Sequence, residues 1–193
     1  MRIAGGVVTE KNEYPWHVGI MVDDYDWPWC GGSILSSRTI LTAAHCFTDH
    51  AVVVAEHAWT VTGDGEQKME VCNRVDHPKY NPDTVEYDIA ILTLCKDIIF
   101  NKTASPVCLP SQPDSDYANV PAIVTGWGFL EDEGLNRPEQ LMELVVNTIP
   151  NTECSIIHAD TDTDIKESMI CANNPGKGIC FGDSGGHYYQ HQL

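Results

Sequence analysis

The sequence is poor in positive charge. It has 11 lysines and arginines against 28 aspartates and glutamates, which gives a formal net charge of −17 at pH 7. Nucleic acids and anionic membrane surfaces attract basic proteins, because cationic side chains must neutralise their phosphates. The composition therefore argues against nucleic acid and membrane as partners, and we interpret the acidity as a contribution to solubility.

Long apolar runs are also missing. No stretch reaches the roughly 20 apolar residues that span a bilayer, and residues 1–6 lack the apolar core of a secretory signal peptide.

Two metal-binding patterns are incomplete. The acidic stretch 160–171 has Ile165 where an EF-hand needs glycine. His187 and His191 lack the glutamate of a zinc-protease helix, so neither pattern predicts a metal site.

What is present is typical of a secreted globular protein. Apolar residues make up 42% of the chain, and 15 glycines with 11 prolines indicate many turns. Eight cysteines favour an oxidising, extracellular compartment. Because a signal segment is missing, we expect a fragment or an excised catalytic domain. Short β-rich runs separated by turn residues are expected as antiparallel strands, at 16–22, 32–35, 39–42 and 52–55.

The most informative stretch is CFGDSGG, residues 180–186. A serine hydroxyl is a weak nucleophile at neutral pH, so Ser184 needs a base, a group that orients the base, and donors for an oxyanion. The glycines beside it permit a tight turn that brings backbone amides close to a substrate carbonyl. Alone, the run could equally be an ordinary turn. His45, in TAAHC (42–46), and Asp88, at the head of an apolar run, supply the partners that the chemistry needs.

These three motifs, in the order His, Asp, Ser, resemble those of the chymotrypsin-like serine proteases of the trypsin superfamily, from about Ile3 to Gly186. The resemblance implies an all-β fold of two six-stranded antiparallel Greek-key barrels. It implies a peptidase domain over 3–193, with the first barrel and the crossing in 3–110 and part of the second barrel in 111–193. Residues 1–2 would be the remnant of a pro-segment. Since the family continues beyond Gly186, we expect a second barrel that is incomplete at its C-terminal end and marginally folded.

The resemblance also implies a serine endopeptidase, with protein or peptide substrates and protein inhibitors as partners. Ser184 would attack the scissile carbonyl, His45 would be the general base and acid, and Asp88 would orient the imidazole. The N–H groups of Gly182 and Ser184 would form the oxyanion hole. This chemistry requires no cofactor.

The resemblance carries expectations about activation and specificity as well. Cleavage after Arg2 would free an Ile3 ammonium, which pairs in the family with the aspartate before the serine, here Asp183; a frayed N-terminus is the alternative. Gly178, followed by Ile179, would line the floor of the primary specificity pocket. A glycine floor carries no charge, so it suggests a chymotrypsin-, elastase- or collagenase-like preference rather than a tryptic one; a carboxylate that enters the pocket from another strand is the alternative.

Six of the eight cysteines are expected in disulfides. The resemblance implies Cys30–Cys46 and Cys154–Cys171, and a cross-strand Cys72–Cys95 disulfide is plausible if the stretches 71–75 and 89–94 pair as strands. Cys108 resembles the cysteine that ties many family members to an upstream pro-region, and Cys180 would lack its partner. Asn151 is expected to cap a short helix.

Two further sites are left open. Glu56 and Glu66 stand ten residues apart in a polar loop that resembles the calcium loop of trypsin-like members, and a solvated hairpin is the equal alternative. Asn101-Lys102-Thr103 is a glycosylation sequon, a pattern that is also common by chance.

Two alternatives to an active enzyme remain open. One is a truncated, inactive protease homologue that acts as a binding protein, and the other is a non-functional transcript product. The complete triad argues against an evolved pseudoenzyme, whereas the departure from the family after Gly186 favours the rivals.

Overall fold

A computed structural model of the chain describes residues 6–22, 25–46, 51–61, 65–110, 117–130, 136–161, 163–173, 178, 181–186 and 188–189. The elements are almost all strands, so the expected all-β class is confirmed. They are β1 (Val7–Val8), β2 (His17–Met21), β3 (Pro28–Ser36), β4 (Thr39–Thr42), β5 (Ala51–Val54), β6 (Gln67–Asp76), β7 (Ala90–Leu94), β8 (Pro121–Gly126), β9 (Met142–Ile149), α1 (Asn151–Ile157), β10 (Cys171–Asn173) and β11 (Tyr188–Tyr189). Within these residues no helix has both the length and the apolar character needed to cross a membrane.

Strands β2 to β7 close into a six-stranded barrel, in the order β2-β3-β4-β7-β6-β5, with antiparallel neighbours throughout. Side chains of a strand alternate between its two faces, and in β7 the buried residues Ala90, Leu92 and Leu94 alternate with half-buried ones. Leu92 and Leu94 pack in the barrel core with Ile34 and Ile40, which are fully buried. The first predicted barrel is therefore present.

The second half of the described chain forms an open sheet. Its order is β1-β9-β8-β11, with β10 also paired to β9. A small core of Ala122, Val124, Leu144 and Val146 lies on it. The sequence assigned the N-terminal residues to the first barrel, but β1 pairs with β9 in the register Val7↔Glu143. The N-terminal strand thus joins the sheet formed by the distant half of the chain.

Polar and aromatic side chains join the barrel to this sheet. His17 of β2 shares a hydrogen bond with Thr125 of β8, with 3.0 Å between Nδ1 and Oγ1. The His17 ring also packs against Trp127, which is 1% exposed, at 5.0 Å between ring centroids. Trp127 Nε1 donates to the carbonyl of His57 at 3.3 Å. Because these contacts are buried, the barrel and the sheet are held in a defined relation at the place where the candidate site lies.

The expected role of Asn151 as a helix cap is wrong. Asn151 is the first residue of α1, and the capping position is held by Pro150, with no side-chain hydrogen bond to the helix. The Asn151 side chain instead donates from Nδ2 to the carbonyls of Lys166 and Met169, at 3.0 and 2.9 Å. It therefore ties the helix to the loop that leads into β10.

The described residues contain three disulfides, and they are the pairs named from the sequence: Cys30–Cys46, Cys72–Cys95 and Cys154–Cys171. The second links β6 to the residue that follows β7, with 5.0 Å between Cα atoms and a sequence separation of 23. Cys108 is free and exposed.

The connection between β6 and β7 is held partly by aromatic contacts. His77 and Tyr87 stack with ring centroids 4.9 Å apart. Tyr80, in the same connection, is half-buried. Burial raises the pKa of the Tyr80 phenol, and the nearby carboxylates of Asp88 and Asp76 raise it further.

Removing the Cys72–Cys95 disulfide should destabilise the barrel. A double Cys72→Ser, Cys95→Ser variant loses the constraint on the unfolded chain, a cost of about 3 kcal/mol, which corresponds to a fall in Tm of roughly 6–12 °C. The fall in Tm is measured by thermal unfolding, with circular dichroism as the probe. Cys108→Ser is the matched control and should leave Tm unchanged; an equal Tm for the double variant would contradict the assignment.

Tyr80 should make the protein less stable in alkali. The pKa of Tyr80 is higher in the folded than in the unfolded chain. The contribution of Tyr80 to the free energy of unfolding is therefore complete below the ordinary tyrosine pKa of about 10. It is lost as pH rises through the folded value. In urea unfolding at pH 8 and above pH 10, Tyr80→Phe should lose less stability than the wild type as pH rises. Tyr25→Phe serves as the exposed control, and parallel losses in wild type and Tyr80→Phe would refute the prediction.

Candidate active site

The pairing of β4 with β7 brings His45 and Asp88 to the same end of the barrel. His45 lies three residues after β4, and Asp88 lies two residues before β7. The two strands are antiparallel, with Thr42 opposite Ala90. The end of one strand and the beginning of the other therefore meet, and the two side chains extend from that junction.

Asp88 accepts two hydrogen bonds from His45. Its Oδ2 lies 2.6 Å from the ring Nδ1, and its Oδ1 accepts the backbone N–H of the same histidine at 2.8 Å. An ionised carboxylate only accepts, so this contact places the ring hydrogen on Nδ1 and leaves Nε2 as the acceptor of a neutral imidazole. The Asp88 side chain is 19% exposed and the His45 side chain 41%. The arrangement fixes the histidine tautomer and leaves the ring accessible.

The loop that carries Ser184 packs directly on β3 and on the end of β4. The backbone N–H of Gly31 donates to the Ser184 carbonyl at 2.7 Å. Gly185 has φ of +78°, and a Cβ there would overlap Thr42 Oγ1 and the Gly31 carbonyl. Since Thr42 Oγ1 itself donates to Gly31 O at 2.8 Å, the space is fully used. Glycine at 185 is therefore required for Ser184 to lie close to the segment that carries His45.

Ser184 and His45 do not share a hydrogen bond in the described part of the chain. The loop contact through Gly31 and Gly185 brings their segments together, but the hydroxyl-to-imidazole contact is absent. Such contacts between nucleophile and base are often long in free enzymes and shorten when substrate binds.

Asp183 occupies a buried socket made by backbone. It is 7% exposed, and its Oδ1 accepts the N–H of Gly128 at 2.8 Å. A Cβ at Gly126 or at Gly128 would overlap the carboxylate. The glycines of Gly126-Trp127-Gly128 thus make room for the carboxylate that precedes Ser184. Ile3, its expected partner, lies outside the described residues, as does Arg2.

The remaining predicted residues are only partly described. Gly178 is half-buried, and Ile179 and Cys180 lie outside the described residues.

The Asn101 side chain of the sequon accepts hydrogen bonds from the N–H and the hydroxyl of Thr103, both at 2.7 Å, and it is exposed. The geometry of the sequon is thus that of an accessible turn.

The calcium loop remains a prediction. Glu56 Oε1 accepts the backbone N–H of His57 at 3.0 Å. Among the described residues, neither Glu56 nor Glu66 belongs to a cluster of three ligand side chains. The cluster found there is Cys30, His45 and Cys46, and its cysteines are joined in a disulfide and offer no thiolate.

A cleft of about 770 Å³ extends from the junction and was missed by the sequence analysis. It reaches Asp88 and Gly186, although its lining does not include His45 or Ser184. Apolar residues that follow α1, Ile165, Met169 and Ile170, lie along it. They are distant from the motifs in sequence, and their spacing alone carries no sign of a shared surface.

Comparisons with known proteins agree with this geometry. The family model described as Trypsin matches residues 3–192. The chain is 36% identical to hypodermin-A of Hypoderma lineatum, over 96% of this chain and 72% of that protein. It is 33% identical to human mannan-binding lectin serine protease 1 and to rat transmembrane protease serine 9, again over 96% of this chain. It spans 29% and 18% of the length of those two relatives. The chain belongs to the trypsin family.

Proposed function

We propose that the protein is a serine endopeptidase, with Ser184 as nucleophile, His45 as general base and acid, and Asp88 as the group that orients the imidazole. The observation that carries this proposal is the double hydrogen bond from His45 to Asp88, at 2.6 and 2.8 Å, beside the loop of Ser184. Membership of the trypsin family supports the same reaction.

The chemistry follows from the fixed tautomer. With the Nδ1 hydrogen held by Asp88, the Nε2 lone pair takes the Ser184 proton as Oγ attacks the scissile carbonyl. The imidazolium that forms is stabilised by the Asp88 carboxylate, and it then gives its proton to the leaving amine. A water molecule repeats the sequence on the acyl-enzyme and releases the new carboxyl end with free Ser184.

Backbone donors beside Ser184 support the oxyanion-hole assignment. Gly182 is buried and has φ of +98°. In the part of the chain that the structure describes, the N–H groups of Gly182 and Ser184 donate to no protein acceptor. A buried N–H without an acceptor is costly and rare. An oxyanion that forms between these donors would satisfy both of them during the reaction.

The Asp183 socket supports activation by cleavage after Arg2. A new Ile3 ammonium would pair with the buried Asp183 carboxylate, because an opposite charge close by stabilises a buried carboxylate. Because Asp183 lies between Gly182 and Ser184, this ion pair would stabilise the positions of both oxyanion donors. In this proposal the peptidase domain is 3–193, and residues 1–2 remain from a pro-segment.

The environment that we propose is extracellular. Three disulfides support an oxidising compartment. The partners are protein substrates and protein inhibitors, and the exposed free Cys108 is available for an upstream pro-region. The reaction needs no cofactor.

Fluorophosphonate labelling tests the triad. The chain should be labelled after cleavage at Arg2-Ile3 and much less before it, since the oxyanion donors need the new ion pair. Ser184→Ala should abolish labelling. Labelling that persists in Ser184→Ala, or no labelling of the cleaved wild type, would contradict the proposal; the latter result together with retained inhibitor binding would favour the non-catalytic binding protein.

Asp88→Asn should preserve the fold and remove most of the activity. The carboxamide can donate to Nδ1, which favours the wrong tautomer, and kcat should fall by about 10⁴. Initial rates on a peptide substrate measure this loss, with circular dichroism as the control for folding. A change of less than tenfold in kcat would exclude Asp88 from the proposed role.

The neutral Gly178 predicts a non-tryptic preference. Among peptides that differ in the residue before the scissile bond, kcat/KM should be higher for phenylalanine, leucine or alanine than for arginine or lysine. Gly178→Asp should shift the ratio toward the cationic substrates, because a carboxylate would then face the pocket. A strong preference of the wild type for arginine would overturn the assignment of Gly178 as the pocket floor.

A further inference from the structure

Arg74 on β6 binds the main chain of the segment that carries His45. Its Nη1 donates to the carbonyl of Cys46 at 2.6 Å, and its Nη2 donates to the carbonyl of Ala44. These two carbonyls belong to the residues immediately before and after His45. One planar group therefore binds the main chain on both sides of the candidate base.

The Arg74 side chain is itself fixed. Its Nε donates to Asp76 Oδ1 at 2.7 Å, and the side chain is 14% exposed. Residues two apart in a strand point to the same face, so Asp76 is placed beside Arg74 by β6 alone. The planar guanidinium is pre-organised, so little side-chain freedom is lost for each hydrogen bond that it forms.

The barrel order explains how Arg74 reaches the site. β4, β7 and β6 are consecutive strands in it. β4 leads to His45, Asp88 precedes β7, and Arg74 lies opposite Leu92 of β7. The three residues come from neighbouring strands near the same end of the barrel, although 43 residues separate His45 from Asp88 in sequence.

The His45 ring has few other constraints. Its side chain is 41% exposed, and its hydrogen-bond partner is Asp88, so the direction of the ring depends strongly on the backbone and on Asp88. The Arg74 fork binds the carbonyl of the peptide that precedes His45 and the carbonyl of the peptide that follows Cys46, and the Cys30–Cys46 disulfide restrains Cys46 further. A small rotation of these peptides would move Nε2 relative to the Ser184 hydroxyl.

We propose that Arg74 is a positioning residue that sets the direction of the His45 imidazole through the carbonyls of Ala44 and Cys46; this inference rests on the proposed function. It acts through geometry, since its donors contact main chain and not the reacting atoms. A lysine keeps the charge, but one ammonium lacks the planar fork that binds two carbonyls at once.

The chain offers a matched control in Arg38, between β3 and β4. Its Nε donates to the Leu94 carbonyl at 3.0 Å, and its Nη2 donates to the Cys95 carbonyl at 3.3 Å. The chemistry is the same as that of Arg74, but it occurs at the opposite ends of β4 and β7 from His45 and Asp88. Substitution of Arg38 therefore measures how much stability is lost when an arginine that binds two carbonyls is removed at a distance from the site.

The experiment compares Arg74→Met, Arg74→Lys, Arg38→Met and Arg38→Lys in the full chain after cleavage at Arg2-Ile3. We expect Arg74→Met to lower kcat and the rate of fluorophosphonate labelling by about 10²-fold, the size of effect that a 1 Å misplacement produces. KM should change less than about threefold, because only the reacting geometry is altered. Arg74→Lys should recover part of kcat. Both Arg38 variants should keep kcat, with a fall in Tm similar to that of the Arg74 variants.

Proton NMR of the His45 Nδ1–H provides a readout that does not depend on turnover. The low-field resonance should shift or broaden in Arg74→Met and remain in both Arg38 variants. If Arg74→Met does not fold, Arg74→Lys and Asp76→Asn carry the test, with smaller losses of kcat expected.

The possible failures are distinguishable. If the cleaved wild type shows no labelling that depends on Ser184, the proposed function is wrong and the role of Arg74 falls with it. If wild-type labelling depends on Ser184 but Arg74→Met matches Arg38→Met in kcat and in the His45 resonance, the proposed function stands and the positioning role is refuted. A rise in KM at constant kcat would also refute it.

Discussion

The arrangement of the site depends on one carboxylate that binds both the backbone and the ring of the same histidine. Asp88 accepts the His45 N–H at 2.8 Å and lies 2.6 Å from its Nδ1. The first contact sets the distance between the two segments, and the second sets the tautomer. Neither is achieved by local sequence, because the barrel must close β4 on β7 before these residues meet. The chemical competence of the imidazole is thus a consequence of strand register.

Close packing of main chain on main chain imposes the second constraint. The loop 182–186 approaches β3 and β8 so closely that Gly185, Gly126 and Gly128 cannot carry side chains. The same contacts bury Asp183 next to Ser184, the proposed nucleophile. A tight loop of this kind limits where the Ser184 hydroxyl can lie, and within the described residues it leaves the N–H groups of Gly182 and Ser184 without a protein acceptor. Packing that excludes side chains is therefore part of what makes the proposed oxyanion site available.

The sequence predicted features that are local or that alternate along one strand. The run 39–42 coincides with β4, and the predicted strand 52–55 differs from β5 by one residue at each end. The cross-strand Cys72–Cys95 disulfide followed from the correct pairing of two apolar runs. Features that depend on the closed fold were missed. Short β1 joins a sheet made from the far half of the chain, and Pro150 takes the cap position ahead of Asn151, whose amide serves a loop 15 residues away. Propensity does not encode such contacts.

The use of arginine in so acidic a chain shows how the fold and the site are connected. Arginine is scarce, and the three that the structure describes, Arg38, Arg74 and Arg137, all donate to main-chain carbonyls. Arg137 binds the Pro28 carbonyl at 2.9 Å and stacks on Phe129, so it joins the barrel to the second sheet beside Gly182. Carbonyls at strand ends and in loops lack ladder partners, and a guanidinium can satisfy two of them in a fixed plane. Arg74 binds carbonyls on both sides of His45, and Arg137 lies beside Gly182, so two of the donors that complete the fold also lie at the candidate site.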